Sequence, residues 1–396
     1  MTLRLVWIDH WLMRDYKMGK KILIFNAFPT NNGDAALVFS LYDKLVNSGW
    51  GKVSIAAHKF DLIKNLYEDF PIVREITDYK FLNNIKGSAY LKTILTPILI
   101  FFSKPFMQAD VVIASPGGFM NSYYGFSRIA VTFIMCKLLG KKTGIYSQSF
   151  GPFNKRDKYF IKFLSRFIDV LYCRDNFSYN LMSKLGVKDK KIHLVEDGAF
   201  LIPFEKKEVE SNIVAISVRS WQHDSRSESH YINMIKAFVE KIVNSGFQVE
   251  FISTCQGLEN YIDDSKFADF IFNQLPENIK ASVIVNHKYY TLHELQLYID
   301  KFNAVIGTRL HMCILSLLRG KPCLNISYEI KGKEAFSYLG LGAYSIDYNE
   351  DVDNANSVLT SFLENQKDMQ KYVEKKMHEQ NIKADKFLNE FIKLLS

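Results

Sequence analysis

The chain has 396 residues, 48% of them hydrophobic, which exceeds the size at which one core keeps growing and points to two domains. Its 50 lysines and arginines outnumber 42 acids for a net charge of +8, and the excess is scattered, which suits acidic substrates or an anionic membrane surface and speaks against nucleic acid as partner. The five cysteines, Cys136, Cys173, Cys255, Cys313 and Cys323, lack metal-ligand spacing and sit in apolar runs, so reduced core thiols are expected, not a disulfide framework.

The first twenty residues carry Arg4, Asp9, Arg14, Asp15 and Lys17 among Trp7 and Trp11, with no uninterrupted apolar stretch and no clear cleavage site. A cytoplasmic protein is therefore expected. This basic aromatic lead reads either as a disordered segment or as a peripheral contact with a membrane surface. Beyond it, short apolar runs at 21–26, 52–57, 110–115, 143–147 and 170–173 alternate with segments of helical spacing at 35–47, 126–139 and 155–167. That alternation is the signature of an open, doubly wound parallel sheet. The apolar stretch 91–106 is too short to span a bilayer, which takes roughly 20 residues, and Lys92, Pro97 and Lys104 interrupt it; a buried or interfacial helix is expected.

A charged segment at 204–211 behind Pro203 reads as a linker. A second alternating series follows, with strands expected at 213–218, 248–253, 282–285, 304–307 and 323–327. Residues 356–396, rich in Lys, Glu and Gln with apolar residues at helical spacing, predict one or two amphipathic helices. The expected fold class is thus α/β: two tandem doubly wound Rossmann-like domains over 1–203 and 204–355, with C-terminal helices over 356–396 packing across them. Two such sheets place their carboxyl ends across one cleft, and ligands of these sheets bind outside those ends, so chemistry is sought in the loops after strands.

The most informative loop is 304–311, where Arg309 and His311 fall at a helix start. A helix N-terminus is electropositive, and a cation on its first turn costs from a few tenths to about 1 kcal/mol unless an anion lies beside it. A bound anion is predicted. Asn32, Gly33 and Asp34 follow the first strand, and Asp34 reads either as a helix N-cap, contributing about 1 kcal/mol, or as a base for a substrate hydroxyl. Gly117 and Gly118 form a turn that lets amides approach a ligand, while Gln148 offers a neutral amide at a strand end; ordinary turns account for them equally well.

Arg174 stands at another strand end, facing either an anion or a carboxylate such as Asp175, with Ser178 placed to cap the next helix. Arg219 ends the first strand of the second series and opens a polar loop with His223, Arg226 and His230, a lid or an ordinary mobile loop. Tyr328 and Lys331 follow the strand at 323–327. The recurrence of Arg174, Arg219, Arg309, His311 and Lys331 at strand ends makes a small, multiply charged anion the economical explanation, because arginine forks bind carboxylate and phosphate bidentately. No acidic cluster suggests a catalytic metal, and no cofactor is expected.

In chain order these residues resemble the polysaccharide pyruvyltransferase family: Asn32-Gly33-Asp34, Gly117-Gly118, Gln148 with Gly151-Pro152, Arg174-Asp175 with Ser178, Asp197, Ser217-Val218-Arg219, and Gly307-Thr308-Arg309-Leu310-His311 with Tyr328 and Lys331. The last motif is the most specific, and the match spans nearly the whole domain pair. The resemblance implies a GT-B-like fold and phosphoenolpyruvate as donor and co-substrate. It also implies a sugar acceptor, of galactose type, in a lipid-linked capsular or exopolysaccharide precursor. Ketal formation needs protonation of the donor's methylene carbon, attack by one hydroxyl, loss of phosphate and closure by a second hydroxyl. The residues suit those demands, with Arg309, Arg219, Arg174 and Lys331 on the donor's anionic groups, His311 as general acid and Asp34 handling acceptor protons.

Two other readings fit the same cleft. A GT-B glycosyltransferase using a nucleotide sugar, with Glu329 on a ribose diol, would bind a uridine or guanosine nucleotide and not phosphoenolpyruvate. A non-catalytic anion-binding protein would keep full function after Arg309→Ala and His311→Ala.

Overall fold

The computed structural model describes residues 19–79, 88–207, 210–221 and 226–396, without the side chains of 88, 89 and 330. Residues 1–18 of the basic lead and His223 lie outside the described residues. Two compact units divide the chain: the first holds the described residues up to Pro29, Leu37–Leu201 and Asp385–Ser396, and the second holds Thr30–Ala36 and Ile202–Ala384.

The first half of the chain runs β1 (Lys20–Ala27), α1 (Asn32–Asn47), β2 (Gly51–Ala57), α2 (Phe60–Leu66), β3 (Ile72–Arg74), α3 (Ser88–Phe102), α4 (Lys104–Gln108), β4 (Val111–Ala114), β5 (Gly117–Met120), α5 (Ser127–Leu138), β6 (Lys142–Phe150), α6 (Lys155–Leu164), β7 (Val170–Cys173), α7 (Asn176–Lys184) and β8 (Ile192–Leu194). Its strands form one parallel sheet in the order β3-β2-β1-β4-β6-β7-β8, with β5 pairing the far end of β6. Strands covered on both faces read as continuous apolar runs, and Ile22 to Phe25 of β1 are all buried for that reason. Phe25 packs edge-on against Phe106 and Phe133 at 6.0 and 5.2 Å, and each such burial contributes about 1.5–3 kcal/mol.

The second half runs β9 (Ile213–Ser217), α8 (Glu228–Asn244), β10 (Gln248–Phe251), α9 (Asp264–Phe272), α10 (Glu277–Lys280), β11 (Val283–Val285), α11 (Leu292–Ile299), β12 (Ala304–Gly307), α12 (Leu310–Leu318), β13 (Cys323–Ser327), α13 (Ile330–Tyr338), β14 (Ser345–Asp347), α14 (Val352–Glu364) and α15 (Gln366–Leu395). Its sheet, also parallel throughout, has the order β11-β10-β9-β12-β13-β14. In both sheets the order reverses beside the first strand, at β1/β4 and at β9/β12, which is where doubly wound sheets hold ligands.

Several expectations are corrected. Gly117 and Gly118 do not form a turn; they open β5, in which Gly117 pairs with Gln148 of β6. Three further short strands, β3, β8 and β14, were not anticipated. The segment after Pro203 is not a loose linker: the Phe204 amide donates to Asn381 Oδ1 at 2.6 Å, the Glu205 amide to Leu318 O at 2.9 Å, and Lys206 pairs with Glu374.

The C-terminal stretch forms two helices, and α15 is buried at Met369, Val373, Met377, Ala384, Leu388, Phe391 and Leu395, a helical period maintained over its length. Within the first unit its end packs on β6 at Gly144, where an added Cβ would lie 2.7 Å from Phe391 Cζ. Lys20 closes that helix by donating to the Ser396 carbonyl at 2.8 Å, a cation at a helix C-terminus where the dipole favours it. All five cysteines are free and buried. Burial pushes the Cys136 and Cys255 thiols up to about 12. Among the described residues no helix is long and apolar enough to cross a membrane.

Candidate functional site

The expected site residues fall into two sets. Gly117, Gly118, Gln148, Arg174 and Ser178 belong to the first unit; Asn32, Gly33, Asp34, Arg219, Arg309, His311, Tyr328 and Lys331 belong to the second.

In the second unit, β12 delivers the chain to α12, whose N-cap residue is Arg309 and carries no side-chain cap. Helix starts normally recruit Ser, Thr, Asp or Asn to satisfy their open amides, so an arginine there leaves the amides to other acceptors. Helix α13 begins the same way, with Glu329 at the cap and no side-chain bond to the first turn. Between these two starts, at the carboxyl ends of β12 and β13, lies a shallow, open recess lined among others by Thr308, Leu310, Ser327, Tyr328, Lys331 and Gly332. Such a place binds anions through backbone amides and the helix dipole. Lys331 reaches it paired to Glu329 at 2.7 Å.

The arginines differ in what holds them. Arg309 donates through Nε and Nη2 to both oxygens of Asp264, at 2.7 and 2.8 Å, a two-pronged fork. Burial works against its charge, but the Asp264 carboxylate overrides this and raises the guanidinium above its ordinary value. Asp264 is itself fixed by Ser253 Oγ at 2.5 Å. Arg219, by contrast, has no carboxylate partner among the described residues. It donates to the Tyr328 hydroxyl, and its guanidinium lies 4.5 Å from the Tyr328 ring and 5.0 Å from the Trp221 ring.

His311 stands in the first turn of α12 against the start of α1. A Cβ on Gly33 would meet His311 Nδ1 at 2.5 Å, so only glycine admits the imidazole there. The residue that caps α1 is Asn31, not Asp34: Asn31 Oδ1 accepts from the Asp34 amide at 2.9 Å, and Asn31 Nδ2 donates to Asp34 Oδ2 at 2.5 Å. Asp34 is thereby held in the first turn next to the glycine that faces His311. Asn32 anchors the turn, its amide donating to Thr254 O at 2.8 Å and its Nδ2 to Tyr290 O at 2.9 Å.

In the first unit Arg174 is buried and pairs with Asp197 at 2.9 Å, not with Asp175. Its Nε donates to Ser149 Oγ at 2.7 Å, and that hydroxyl donates on to Asp175 Oδ2 at 2.6 Å. Asp175, not Ser178, caps α7 by accepting from the Ser178 amide; Ser178 Oγ instead pins the end of β6 by accepting from the Phe150 amide at 2.7 Å. Gly118 allows Arg174 to approach, with Nη2 3.3 Å from where a Cβ would sit. Gln148 donates to Ser149 O at 2.9 Å, while its Oε1 is buried with no partner among the described residues.

Sequence reasoning missed a polar cluster at the carboxyl ends of β1, β2 and β3. Glu75 is fully buried and accepts from the amides of Asn26 and Ile76 at 2.8 and 3.1 Å, with Arg128 Nη1 3.5 Å away. Burial pushes the Glu75 carboxyl above its ordinary value against the pull of Arg128. Arg128 Nη2 donates to Asn26 Oδ1 at 2.5 Å and lies 3.2 Å from His58 Nε2. Burial, then Arg128 and Lys92, hold that imidazole well below its ordinary value, so it accepts as the neutral ring; Phe28 stacks on it at 4.0 Å. Pairings 30 to 102 residues apart leave no local spacing signal.

A family model described as polysaccharide pyruvyl transferase matches residues 31–330. The amylovoran biosynthesis protein AmsJ of Erwinia amylovora is 26% identical over 331 residues, covering 78% of this chain and 79% of that protein. Among solved structures, Anabaena HepE in complex with UDP superposes with a TM-score of 0.62 at 11% identity, covering 94% of this chain and 99% of the other. A putative UDP-N-acetylglucosamine 2-epimerase from Listeria monocytogenes gives 0.60 at 11% identity, covering 93% and 95%. At such identities the likeness is one of fold, and the fold is that of GT-B proteins.

Proposed function

The chain belongs to the polysaccharide pyruvyl transferase family, and we propose that it moves the enolpyruvyl-derived group of phosphoenolpyruvate onto two hydroxyls of one sugar, forming a pyruvate ketal and releasing phosphate. The acceptor in this reading is a galactose-type residue of a lipid-linked capsular or exopolysaccharide precursor, met by a protein peripheral to the membrane. Phosphoenolpyruvate is the co-substrate and no separate cofactor takes part.

The observation that carries this reading is the pair of uncapped helix starts in the second unit, with Arg219, Arg309, His311 and Lys331 placed around them. The donor has two anionic groups on one small carbon frame. The amides of α12 and α13 with Arg219 and Lys331 supply positive charge for them, and Arg309, immobilised by Asp264, adds a preorganised cation. His311 gives a proton to the methylene carbon, so that the adjacent carbon becomes cationic and accepts the first sugar hydroxyl. Phosphate then leaves that carbon, and the second hydroxyl closes the ketal. Asp34 takes up protons released by the hydroxyls.

The test is phosphate release from phosphoenolpyruvate with a panel of lipid-linked and simple β-galactosides, with products weighed by mass spectrometry, for the wild type and His311→Ala. Acceptor-dependent release with the mass gain of a pyruvate ketal, lost in the variant, supports the reading. No release with any acceptor, together with no phosphoenolpyruvate binding by calorimetry, overturns it.

A further inference from the structure

Helix α3 has an outward face that the reaction does not use. Tyr90, Ile94, Ile98, Phe101 and Phe102 are each at least 53% exposed, while Thr96 and Ile100 are fully buried. At about 100° per residue the five exposed side chains occupy roughly one third of the helix circumference, and the two buried ones lie opposite. Soluble proteins scatter exposed apolar residues singly; a contiguous row of large ones marks a surface that meets something apolar.

Charge says what that something is. From Tyr79 to Ala109 the sequence holds four lysines, Lys80, Lys86, Lys92 and Lys104, and no Asp or Glu. Of these, Lys104 is exposed at the start of α4, directly after the apolar row. Apolar area on one helix face, followed by an exposed lysine that no acid pairs among the described residues, is the pattern of a helix lying in the plane of an anionic membrane. A protein partner recognised by the same face would need acids to meet Lys104, whereas a bilayer supplies both the apolar layer and the negative headgroups. The helix has 15 residues, with Pro97 inside it, and is too short to cross a bilayer, so in this inference it lies on the surface.

We infer that the exposed face of α3, with Lys104, docks the first unit on an anionic lipid bilayer. This rests on the reading of a lipid-linked acceptor, because it brings the enzyme to the surface where such a substrate resides.

The full chain is sedimented with vesicles of phosphatidylcholine alone and of phosphatidylcholine with phosphatidylglycerol, for the wild type, for Ile94→Glu/Phe102→Glu, for Lys104→Glu and for Ile382→Glu, an exposed isoleucine on α15. Binding to the anionic vesicles is expected, with a loss of about tenfold or more in the double variant, a smaller loss for Lys104→Glu, and none for Ile382→Glu. Thermal melting checks that the variants fold, and phosphate release with a water-soluble galactoside should be unchanged, so a failure of the catalytic reading and a failure of docking are told apart. Equal binding of the double variant and the wild type, or no binding by the wild type, overturns the inference. Self-association in sedimentation velocity that Ile94→Glu abolishes, without vesicle binding, would assign the face to a second copy of the chain instead.

Discussion

Asp264 and Arg309 meet at 2.7 and 2.8 Å through both carboxylate oxygens, across 45 residues of chain, and this fork sets the orientation of the arginine at the start of α12. Asp264→Asn keeps the size of the partner but loses its charge and half of its acceptor capacity. A drop of about tenfold to a hundredfold in kcat/KM is expected, with the KM for phosphoenolpyruvate rising, since misplacing a binding group by about 1 Å costs on that order. Arg309→Lys should fall as far, because an ammonium cannot reproduce the fork. Steady-state phosphate release measures both, and values within twofold of wild type would show that the fork has no part in donor binding.

Gly33→Ala sets two effects against each other. Alanine in a helix is ordinarily favoured over glycine by up to about 1 kcal/mol, yet here its Cβ would sit 2.5 Å from His311 Nδ1 and 3.0 Å from Asn31 Oδ1. The imidazole has to move. A fold that melts within a few degrees of wild type, with turnover lowered at least tenfold, is the expected pair of results; unchanged turnover would remove His311 from the reaction.

The Arg174–Asp197 pair is enclosed, with side chains 6% and 5% exposed, so Asp197→Ala strands a buried guanidinium. A loss of about 3–5 kcal/mol in denaturant unfolding is expected. The comparison is Asp385→Ala, which removes the partner of Lys44 in a surface pair at 2.6 Å and should cost no more than about 1 kcal/mol. Equal losses would mean that Arg174 is solvated more freely than its surroundings allow.

His58 should make the protein acid-sensitive. Its imidazole is held well below the ordinary value of 6.5, so between that value and the lowered one the unfolded chain binds the proton and the folded one does not. Stability therefore falls as the pH drops below about 6.5, by up to about 1.4 kcal/mol per pH unit for one proton. His58→Gln retains an acceptor for Arg128 but cannot titrate. Urea unfolding from pH 7.5 to 5.0 should show a flatter profile in the variant, and parallel profiles would sink the assignment.

The alternation of runs such as 21–26 and 304–307 with helical segments was enough to read two parallel sheets, because strands buried on both faces leave a contiguous apolar mark. The strands Ile72–Arg74, Ile192–Leu194 and Ser345–Asp347 escaped because three residues carry no period. Gly117-Gly118 looked like a turn because glycine is a poor strand former, and only the pairing of Gly117 with Gln148 shows the strand. At the site, Arg309 and His311 stood out locally as cations at a helix start. Asp264 did not, since nothing near it in the chain announces an arginine 45 residues on. Likewise Asp34 offered itself as a cap, but Asn31 accepts its amide instead.

The buried thiols have a use beyond packing. Cys136 and Cys173 belong to the first unit, Cys255, Cys313 and Cys323 to the second, and none forms a disulfide. An alkylating reagent attacks only the thiolate and only where it can reach, so in the native protein all five should react slowly, and each becomes labelled when its surroundings open. Mass spectrometry of labelled peptides would thus time the opening of each unit separately, from five reporters the chain already carries.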